Sequence, residues 1–323
     1  MSVFIRFANW LPSHVDRRVR FFAWASLVSQ ILIIGTGGAV RLTESGLGCP
    51  TWPRCTDDSF VSTPEMGLHG IIEFGNRLLT FVLIVIAIGM FAMIVRMRRE
   101  RPELLRLSVA LGLGIPGQAI IGGITVLTNL NPYVVGLHYI LSAVLVGLAA
   151  WLLYRVRVGP ASRIPSASPL IRGMAPSMLG VLGVSIVLGV LTTGSGPHAG
   201  DGGAARNGLN SELLQHFHSW PSYVFFTLVL VTLVLSTREG TGRSDSRLRK
   251  ALSGLFGVTL VQIAVGLFQA RNGLPELAVG IHLILAAVLV ALTVTVWLST
   301  REDPESVPRA DQRPQTRTAA TNS

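Results

Sequence analysis

Long apolar runs separated by short polar stretches dominate the chain. Runs of about 20 apolar residues, the length that crosses a bilayer as a helix, lie near residues 20–40, 69–95, 104–128, 134–154, 171–193, 213–235, 250–270 and 277–299. Hydrophobic residues make up 50% of the 323 residues, charged residues only 14%, and the mean hydropathy is +0.54. This pattern predicts an all-α integral membrane protein with eight transmembrane helices. It argues against soluble enzymes, secreted disulfide scaffolds and disordered proteins.

The positive charges are distributed unevenly between the two sides of the membrane. The odd-numbered connections between spans hold only Arg41, Arg54, Arg206 and Arg271, and Arg77 falls inside the second span. The other 22 of the 27 Lys and Arg residues lie in the terminal segments and the even-numbered connections. Because cytoplasmic loops carry the excess of positive residues, we expect a plasma-membrane protein with both termini in the cytoplasm. A nucleic-acid surface is the alternative explanation of the net charge of +10, but the basic clusters adjoin spans, so we expect no nucleic-acid partner.

The two halves of the chain resemble each other. Residues 138–148 match residues 282–292 at 8 of 11 positions with an offset of 144, which aligns His138 with His282. The same offset aligns identical residues of the preceding spans: Gln118 with Gln262, and Gly122 with Gly266. The repeat predicts two tandem, pseudo-symmetric four-helix bundles in the same orientation.

The expected domain boundaries follow this repeat. They are a cytoplasmic N-terminal segment at 1–19, an N-terminal bundle at 20–156, a cytoplasmic linker at 157–170, a C-terminal bundle at 171–300 and a cytoplasmic tail at 301–323. The first apolar run lacks a small-residue cleavage site, so we expect no cleavable signal peptide. The tail has almost no large apolar residue, which predicts disorder.

Six of the seven histidines, all except His14, lie in or near the outer halves of the spans. Ionisable residues inside a span are costly and usually mark a functional site. His218 and His282 belong to neighbouring even-numbered spans at similar depth, and two facing imidazoles can hold a heme iron axially. The alternatives are a histidine that only hydrogen-bonds a neighbouring helix, and zinc, which is disfavoured because further ligands are missing at that depth. His216 points to another face of its helix than His218 and is interpreted as a flanking residue.

The residues of the first half predict a site that differs from the histidine pair of the second half. His138 occupies the repeated position, but Asn76 stands where the second half has a histidine. His69, Glu73 and Asn76 share one face of the second span, with Arg77 beside them. One interpretation of Glu73 is an i, i+4 ion pair with Arg77 that only fixes the helix. The other is a proton-handling or charge-stabilising group beside a heme held by His138.

The first outer connection is rich in Gly, Pro and Trp, which predicts an ordered loop. It contains the only two cysteines, Cys49 and Cys55, on the expected oxidising side of the membrane. This placement favours a disulfide, and two free thiols or a metal pair are the alternatives. Arg41 and Arg77 are candidates to bind outward-facing heme propionates, and ordinary loop salt bridges explain them nearly as well.

Together, these segments resemble the heme A synthase family of membrane proteins. The resemblance extends from the first span to the eighth. The segments that carry it are residues 40–55, 73–77, 122–132 with the following His138, 193–201, and the later His218 and His282. It implies that the protein oxidises the ring methyl group of heme O to the formyl group of heme A by successive hydroxylation, for assembly of a terminal oxidase.

The resemblance also implies cofactors and partners. A b-type heme is expected between His218 and His282 in the second half, and heme O is expected as the substrate. Glu73 matches the essential carboxylate of the family, and Cys49 with Cys55 matches its outer-loop cysteine pair. The expected partners are the lipid bilayer, heme O synthase, an unidentified electron-transfer partner and a further copy of the chain in a homo-oligomer.

One position departs from the family pattern. The family has Glu-x-x-His-Arg where this chain has Glu73-Phe-Gly-Asn-Arg77. His138, the implied iron ligand for the substrate heme, therefore lacks its expected partner at Asn76. Either His69, farther along the same face, supplies the second ligand, or the iron has one protein ligand.

The main alternative function is a di-heme membrane electron-transfer cytochrome that does not convert heme O. Such a protein also uses pairs of membrane histidines, but it has no need of Glu73 or of an asymmetric first half. A transporter or channel is a weaker alternative, because the broken helices typical of transporter sites are not evident in the sequence.

Overall fold

Eight long helices form the computed structural model, which describes residues 10–160, 167–238 and 243–301. The helices are α1 (Arg17–Leu42), α2 (Gly67–Ile94), α3 (Pro102–Leu127), α4 (Pro132–Val158), α5 (Pro169–Ser195), α6 (Ser211–Arg238), α7 (Arg243–Arg271) and α8 (Glu276–Arg301). Short 3-10 turns at Pro64–Met66 and Val95–Met97 flank α2. Within the described ranges there is no strand, and eight helices are long and apolar enough to cross a membrane. The prediction of an all-α protein with eight spans is confirmed.

Parts of the predicted domain scheme fall outside the described ranges. These parts are residues 1–9 of the N-terminal segment, 161–166 of the linker, 239–242 of the C-terminal bundle and 302–323 of the tail. The expected disorder of the tail therefore lies outside the described residues, and the domain boundaries stay a prediction.

Local sequence signals explain where several helices begin. Asp16 caps α1 by accepting the backbone N–H groups of Arg18 and Val19. Asn131 and Ser168 cap α4 and α5 in the same way. Proline occupies the first turn of α3, α4 and α5, where its missing N–H costs no hydrogen bond. These caps satisfy N–H groups that would otherwise be unpaired at the helix ends.

Helix contacts follow the same pattern in the two halves of the chain. In the first half α1 and α3 each pack against α2 and α4, and in the second half α5 and α7 each pack against α6 and α8. Between the halves, α4 packs against α8, while α1 contacts α8 and α5 contacts α4. Exchanging the halves leaves this set of contacts unchanged, which supports the predicted duplication. The tandem pseudo-symmetric bundles stay a prediction.

The inner halves of α4 and α8 are deeply buried at the centre of the molecule. Val146 and Leu152 of α4 and Val296 and Leu298 of α8 are at most 2% exposed. Close packing of this kind is stiff. It fixes the outer halves of the same two helices, which carry His138 and His282.

Candidate functional site

His218 of α6 and His282 of α8 face each other in the second half. Their ring centroids lie 6.3 Å apart and their planes are inclined by 69°. The Nδ1 atom of His218 lies 2.9 Å from the carbonyl oxygen of Ser185 in α5. Because a carbonyl only accepts hydrogen bonds, Nδ1 carries the proton, and Nε2 of the neutral ring keeps a free lone pair.

Two residues of α7 position His282. Gln262 donates from Nε2 to the backbone oxygen of His282 at 3.2 Å. A Cβ atom on Gly266 would lie only 3.2 Å from Cε1 of the imidazole, so glycine makes room for the ring. The Nδ1 atom of His282 is buried and has no hydrogen-bond partner among the described residues. Buried polar atoms usually have a partner, so this nitrogen marks a place where a bound group is expected.

The same arrangement surrounds His138 in the first half. Gln118 donates to the backbone oxygen of His138 at 3.2 Å. A Cβ atom on Gly122 would lie 3.3 Å from the imidazole Cε1. Nδ1 of His138 is likewise buried without a partner in the described part of the chain. The offset of 144 in the sequence is therefore also a repetition of contacts.

Asn76 of α2 has a different environment from His218. Oγ1 of Thr36 in α1 donates to Oδ1 of Asn76 at 2.8 Å. At the corresponding helix pair of the second half, His218 faces Gly189, where a Cβ atom would lie 2.8 Å from the imidazole Cε1. The first half thus has a threonine against an asparagine where the second half has a glycine against a histidine.

Glu73 and Arg77, one turn apart on α2, form an ion pair. Arg77 donates to Glu73 Oε1 from Nη2 at 2.5 Å and from Nε at 3.1 Å. The other carboxylate oxygen accepts the backbone N–H of Cys49 at 2.6 Å. The guanidinium also donates to the carbonyl oxygens of Cys49, Thr51 and Arg54. The pair therefore fixes more than its own helix, because it holds the first outer loop against α2.

A disulfide between Cys49 and Cys55 closes this outer loop. Both cysteines are completely buried, and neither is a free thiol, as the loop position predicted. Trp52, between them, packs on α3 so closely that a Cβ atom on Gly123 would lie 2.4 Å from its ring. Gly123 follows the glycine that contacts His138, so the loop covers the outer end of the first half close to that histidine.

The remaining outer histidines lie away from these rings. His69 is exposed at the start of α2, and its Nδ1 lies 2.9 Å from Oγ of Ser45. Nε2 of His198 lies 2.9 Å from the carbonyl oxygen of Leu274. His216 is exposed on α6. The structure therefore brings His218 and His282 together but leaves these three in the outer loops and on the surface.

Arg41 connects the two halves at their outer ends. Its Nε donates to the carbonyl oxygen of His198 at 2.6 Å and its Nη2 to that of Thr193 at 3.0 Å. These carbonyls belong to the end of α5 and the loop that follows it. The loop contacts of Arg41 thus join the first half to the second.

The donor set fits a heme better than a metal ion held by protein alone. In the described ranges no group of three or more His, Cys, Asp or Glu residues could hold a metal ion, so a zinc site with four protein ligands is not formed there. Two imidazole nitrogens bound at about 2 Å on opposite sides of one metal are about 4 Å apart. The centroids of the two rings must then be more than about 4 Å apart. The 6.3 Å between the centroids of His218 and His282 meets this requirement. A macrocycle would supply the other ligands of the iron.

The sequence profile of the COX15-CtaA family, described as cytochrome oxidase assembly protein, matches residues 20–294. The chain belongs to this family. The heme A synthase of Geobacillus thermodenitrificans is 28% identical over 151 residues, which are 46% of this chain and 47% of the relative. The heme A synthase of Lysinibacillus sphaericus is 27% identical over 143 residues, 44% of this chain and 46% of the relative. The matches thus span about half the length of these curated relatives, and the resemblance to the heme A synthase family is confirmed.

Sequence reasoning missed two contacts of this family member. They are the carbonyl oxygen of Ser185 that accepts from His218, and the hydroxyl of Thr36 that donates to Asn76. Both join helices that are distant in sequence, and a hydroxyl or a carbonyl in an apolar helix gives no pattern that names its partner. The repeat supplied the only usable signal, because it identified position 76 as the place where the halves differ.

Proposed function

We propose that this family member is a heme A synthase that oxidises the ring methyl group of heme O to the formyl group of heme A by successive hydroxylation. The observation that carries the proposal is the pair of imidazoles of His218 and His282, 6.3 Å apart in a chain whose residues 20–294 match the cytochrome oxidase assembly family. The curated relatives that bear this name match over about half of their lengths.

Heme b is the retained cofactor, with His218 and His282 as its iron ligands. The Ser185 carbonyl supports this role, because it fixes the tautomer of His218 that leaves Nε2 free to bind iron. Gly189 and Gly266 give the two rings their space. A heme held by two imidazoles transfers single electrons.

Heme O is the substrate and binds in the first half with His138 as an iron ligand. Gln118 and Gly122 orient this histidine as their counterparts orient His282. The disulfide loop lies over the outer end of this half, where it excludes water from a bound substrate. Asn76 lies in the predicted first-half site, while His69 is exposed and hydrogen-bonded to Ser45. Arg41 is the candidate to bind a propionate, because the N–H groups of Arg77 already donate to Glu73 and to the outer loop.

Glu73 is the proton-handling or charge-stabilising group of the reaction. With the oxygen atom counted as water, the methyl carbon releases four protons and four electrons on becoming a formyl group. A carboxylate beside the reacting carbon accepts protons, and an external electron-transfer partner accepts the electrons. The N–H groups of Arg77 and Cys49 hold the two oxygens of Glu73 in place, as an oriented base requires.

The cellular setting follows from the charge distribution. The excess of Lys and Arg in the termini and even-numbered connections supports a plasma-membrane protein with both termini in the cytoplasm and both heme sites in the outer half. Heme O synthase supplies the substrate, and the product serves assembly of a terminal oxidase.

Heme extraction from membranes of cells that make heme O, with and without this protein, tests the proposal. Chromatography should show heme A, or its hydroxylated precursor, only in cells that contain the protein. Bound heme b with unchanged heme O would overturn the proposal.

A di-heme electron-transfer cytochrome is the second candidate. One observation favours it: both carboxylate oxygens of Glu73 are engaged in holding the outer loop, so this residue has a structural use without any catalysis. The heme extraction separates the two candidates, because a cytochrome would leave heme O unconverted.

A further inference from the structure

The two halves hold one histidine alike and the opposite position differently. His138 and His282 each receive a glutamine N–H on their backbone oxygen, contact a glycine of the preceding helix and have a buried Nδ1 without a described partner. Opposite His282 stands a second imidazole, and at the equivalent position of the first half stands Asn76. A heme bound between α2 and α4 therefore has one imidazole available as a ligand, whereas a heme bound between α6 and α8 has two.

Asn76 is a poor iron ligand in comparison with a histidine. Its Oδ1 already accepts the hydroxyl of Thr36 at 2.8 Å. Its amide nitrogen is a donor of two hydrogen bonds and offers no lone pair to a metal. The Thr36 bond thus orients the amide and leaves its N–H groups available as hydrogen-bond donors.

His69 does not supply the missing ligand either. It lies seven residues before Asn76, which is about 10 Å along a helix axis. Its ring is exposed, and Nδ1 is hydrogen-bonded to Ser45 in the outer loop. Bringing this ring to the depth of Asn76 would require two turns of α2 to unwind.

We propose that the first-half site leaves one axial position of the bound heme iron open to a small exogenous ligand, with the Asn76 amide as hydrogen-bond donor to that ligand. The ligand class is a neutral diatomic molecule, whose outer atom can accept the hydrogen bond from the amide. The inference rests on the proposed binding of heme by His138. Donors beside an open position decide how such ligands bind to heme iron, so the Thr36–Asn76 pair sets the ligand affinity of this half.

Carbon monoxide added to the reduced purified holoprotein tests the open position. The optical spectrum should show a carbon monoxide complex that His138→Ala abolishes and His282→Ala leaves in place. Oxidised protein should contain a high-spin heme signal with the same dependence on His138. A His138-dependent heme that stays low-spin and binds no carbon monoxide would overturn the inference and leave the proposed heme site intact. Absence of any His138-dependent heme would overturn both.

Closing the position by substitution gives the second test. Asn76→His together with Thr36→Gly restores the pairing seen in the second half and should convert the first-half heme to a low-spin species that no longer binds carbon monoxide. Thr36→Gly alone is the control and should keep carbon monoxide binding. A double variant that binds carbon monoxide like the unchanged protein would count against an open position facing Asn76.

The role of the amide is tested by Asn76→Leu, which has a similar size but no donor. Carbon monoxide should still bind, and its infrared stretching frequency should rise because the hydrogen bond is lost. An unchanged frequency would contradict the proposed donor role of Asn76.

Discussion

The carboxylate of Glu73 accepts the backbone N–H of Cys49 at 2.6 Å, and this bond ties the second helix to the disulfide loop. Glu73 is only 5% exposed, and Arg77 neutralises its charge while donating to three carbonyl oxygens of the same loop. A buried charge of this kind is tolerated because it is paired and fully hydrogen-bonded. Glu73, whose carboxylate is proposed to act in catalysis, therefore also holds the disulfide loop over the first-half site.

Replacing Glu73 by glutamine should loosen the disulfide loop. The amide has one acceptor oxygen, which cannot serve both Arg77 and Cys49, and hydrogen bonds to charged groups contribute about 1.5–3 kcal/mol. We expect reduction of Cys49–Cys55 by dithiothreitol to become about tenfold faster, measured by maleimide labelling. Glu65→Gln, an exposed residue of the preceding 3-10 turn, is the matched control. Equal reduction rates in the two variants would show that Glu73 does not hold the loop.

Alanine at His282 or His218 should remove the retained heme b, because each substitution deletes one of its two axial ligands. Heme b per protein, separated from heme O by extraction and chromatography, should fall to a small fraction of the original value. His216→Ala, on the exposed side of α6, should keep its heme. Glu73→Ala should retain heme b and stop formation of the formyl group. Equal loss of heme from the Glu73 and His282 variants would contradict the division of roles between the halves.

Alanine at Gly189 should disturb the heme b site without removing a ligand. The new Cβ atom would lie 2.8 Å from Cε1 of His218, so the ring must move away from the Ser185 carbonyl. Overpacking of this kind costs about 1–3 kcal/mol. We expect altered electron paramagnetic resonance g values and faster loss of heme on heating. Gly183→Ala on the same helix, where a Cβ atom meets nothing within 4 Å, should match the unchanged protein, and identical spectra for both variants would refute this account.

Alanine at Gly123 should displace Trp52 and detach the disulfide loop from α3. A Cβ atom there would lie 2.4 Å from the indole ring, which cannot stay in place. Limited proteolysis of the outer loop should become several-fold faster, and bound heme O should decrease. Gly117→Ala on the same helix, which has open space at its Cβ position, provides the comparison. An unchanged proteolysis rate for Gly123→Ala would mean that Trp52 does not anchor the loop.

The cap of α1 should make the stability of the protein sensitive to acid. Burial raises the pKa of Asp16, but the hydrogen bonds from Val19 and Arg18 and the charge of Arg18 outweigh it and hold the pKa below the usual 3.8. The stabilisation is therefore present above that value and is lost as the pH falls through the lower pKa of the folded protein. Asp16→Ala should cost about 1 kcal/mol at neutral pH, and the difference should shrink at acidic pH. Thermal unfolding in detergent measures this difference, with the exposed Asp58→Ala as control. A difference that grows as the pH falls would show that ionised Asp16 does not stabilise α1.

The sequence by itself determined the eight spans, the asymmetry of charge across the membrane and the repeat that aligns His138 with His282. These features are properties of residue order along the chain, because the length of an apolar run and a constant offset need no knowledge of neighbouring helices. The cysteine pair was predictable for the same reason, since both residues lie in one short loop.

Only the tertiary structure decided which side chains meet across helices. Thr36 with Asn76, Ser185 with His218, and Glu73 with Cys49 are contacts between segments 40, 33 and 24 residues apart. These contacts depend on the rotation of each helix about its axis and on how closely glycines let two helices approach. The hydrophobic periodicity of a single segment determines neither the rotation nor the distance. The different environments of Asn76 and His218 are therefore evident only in the tertiary structure.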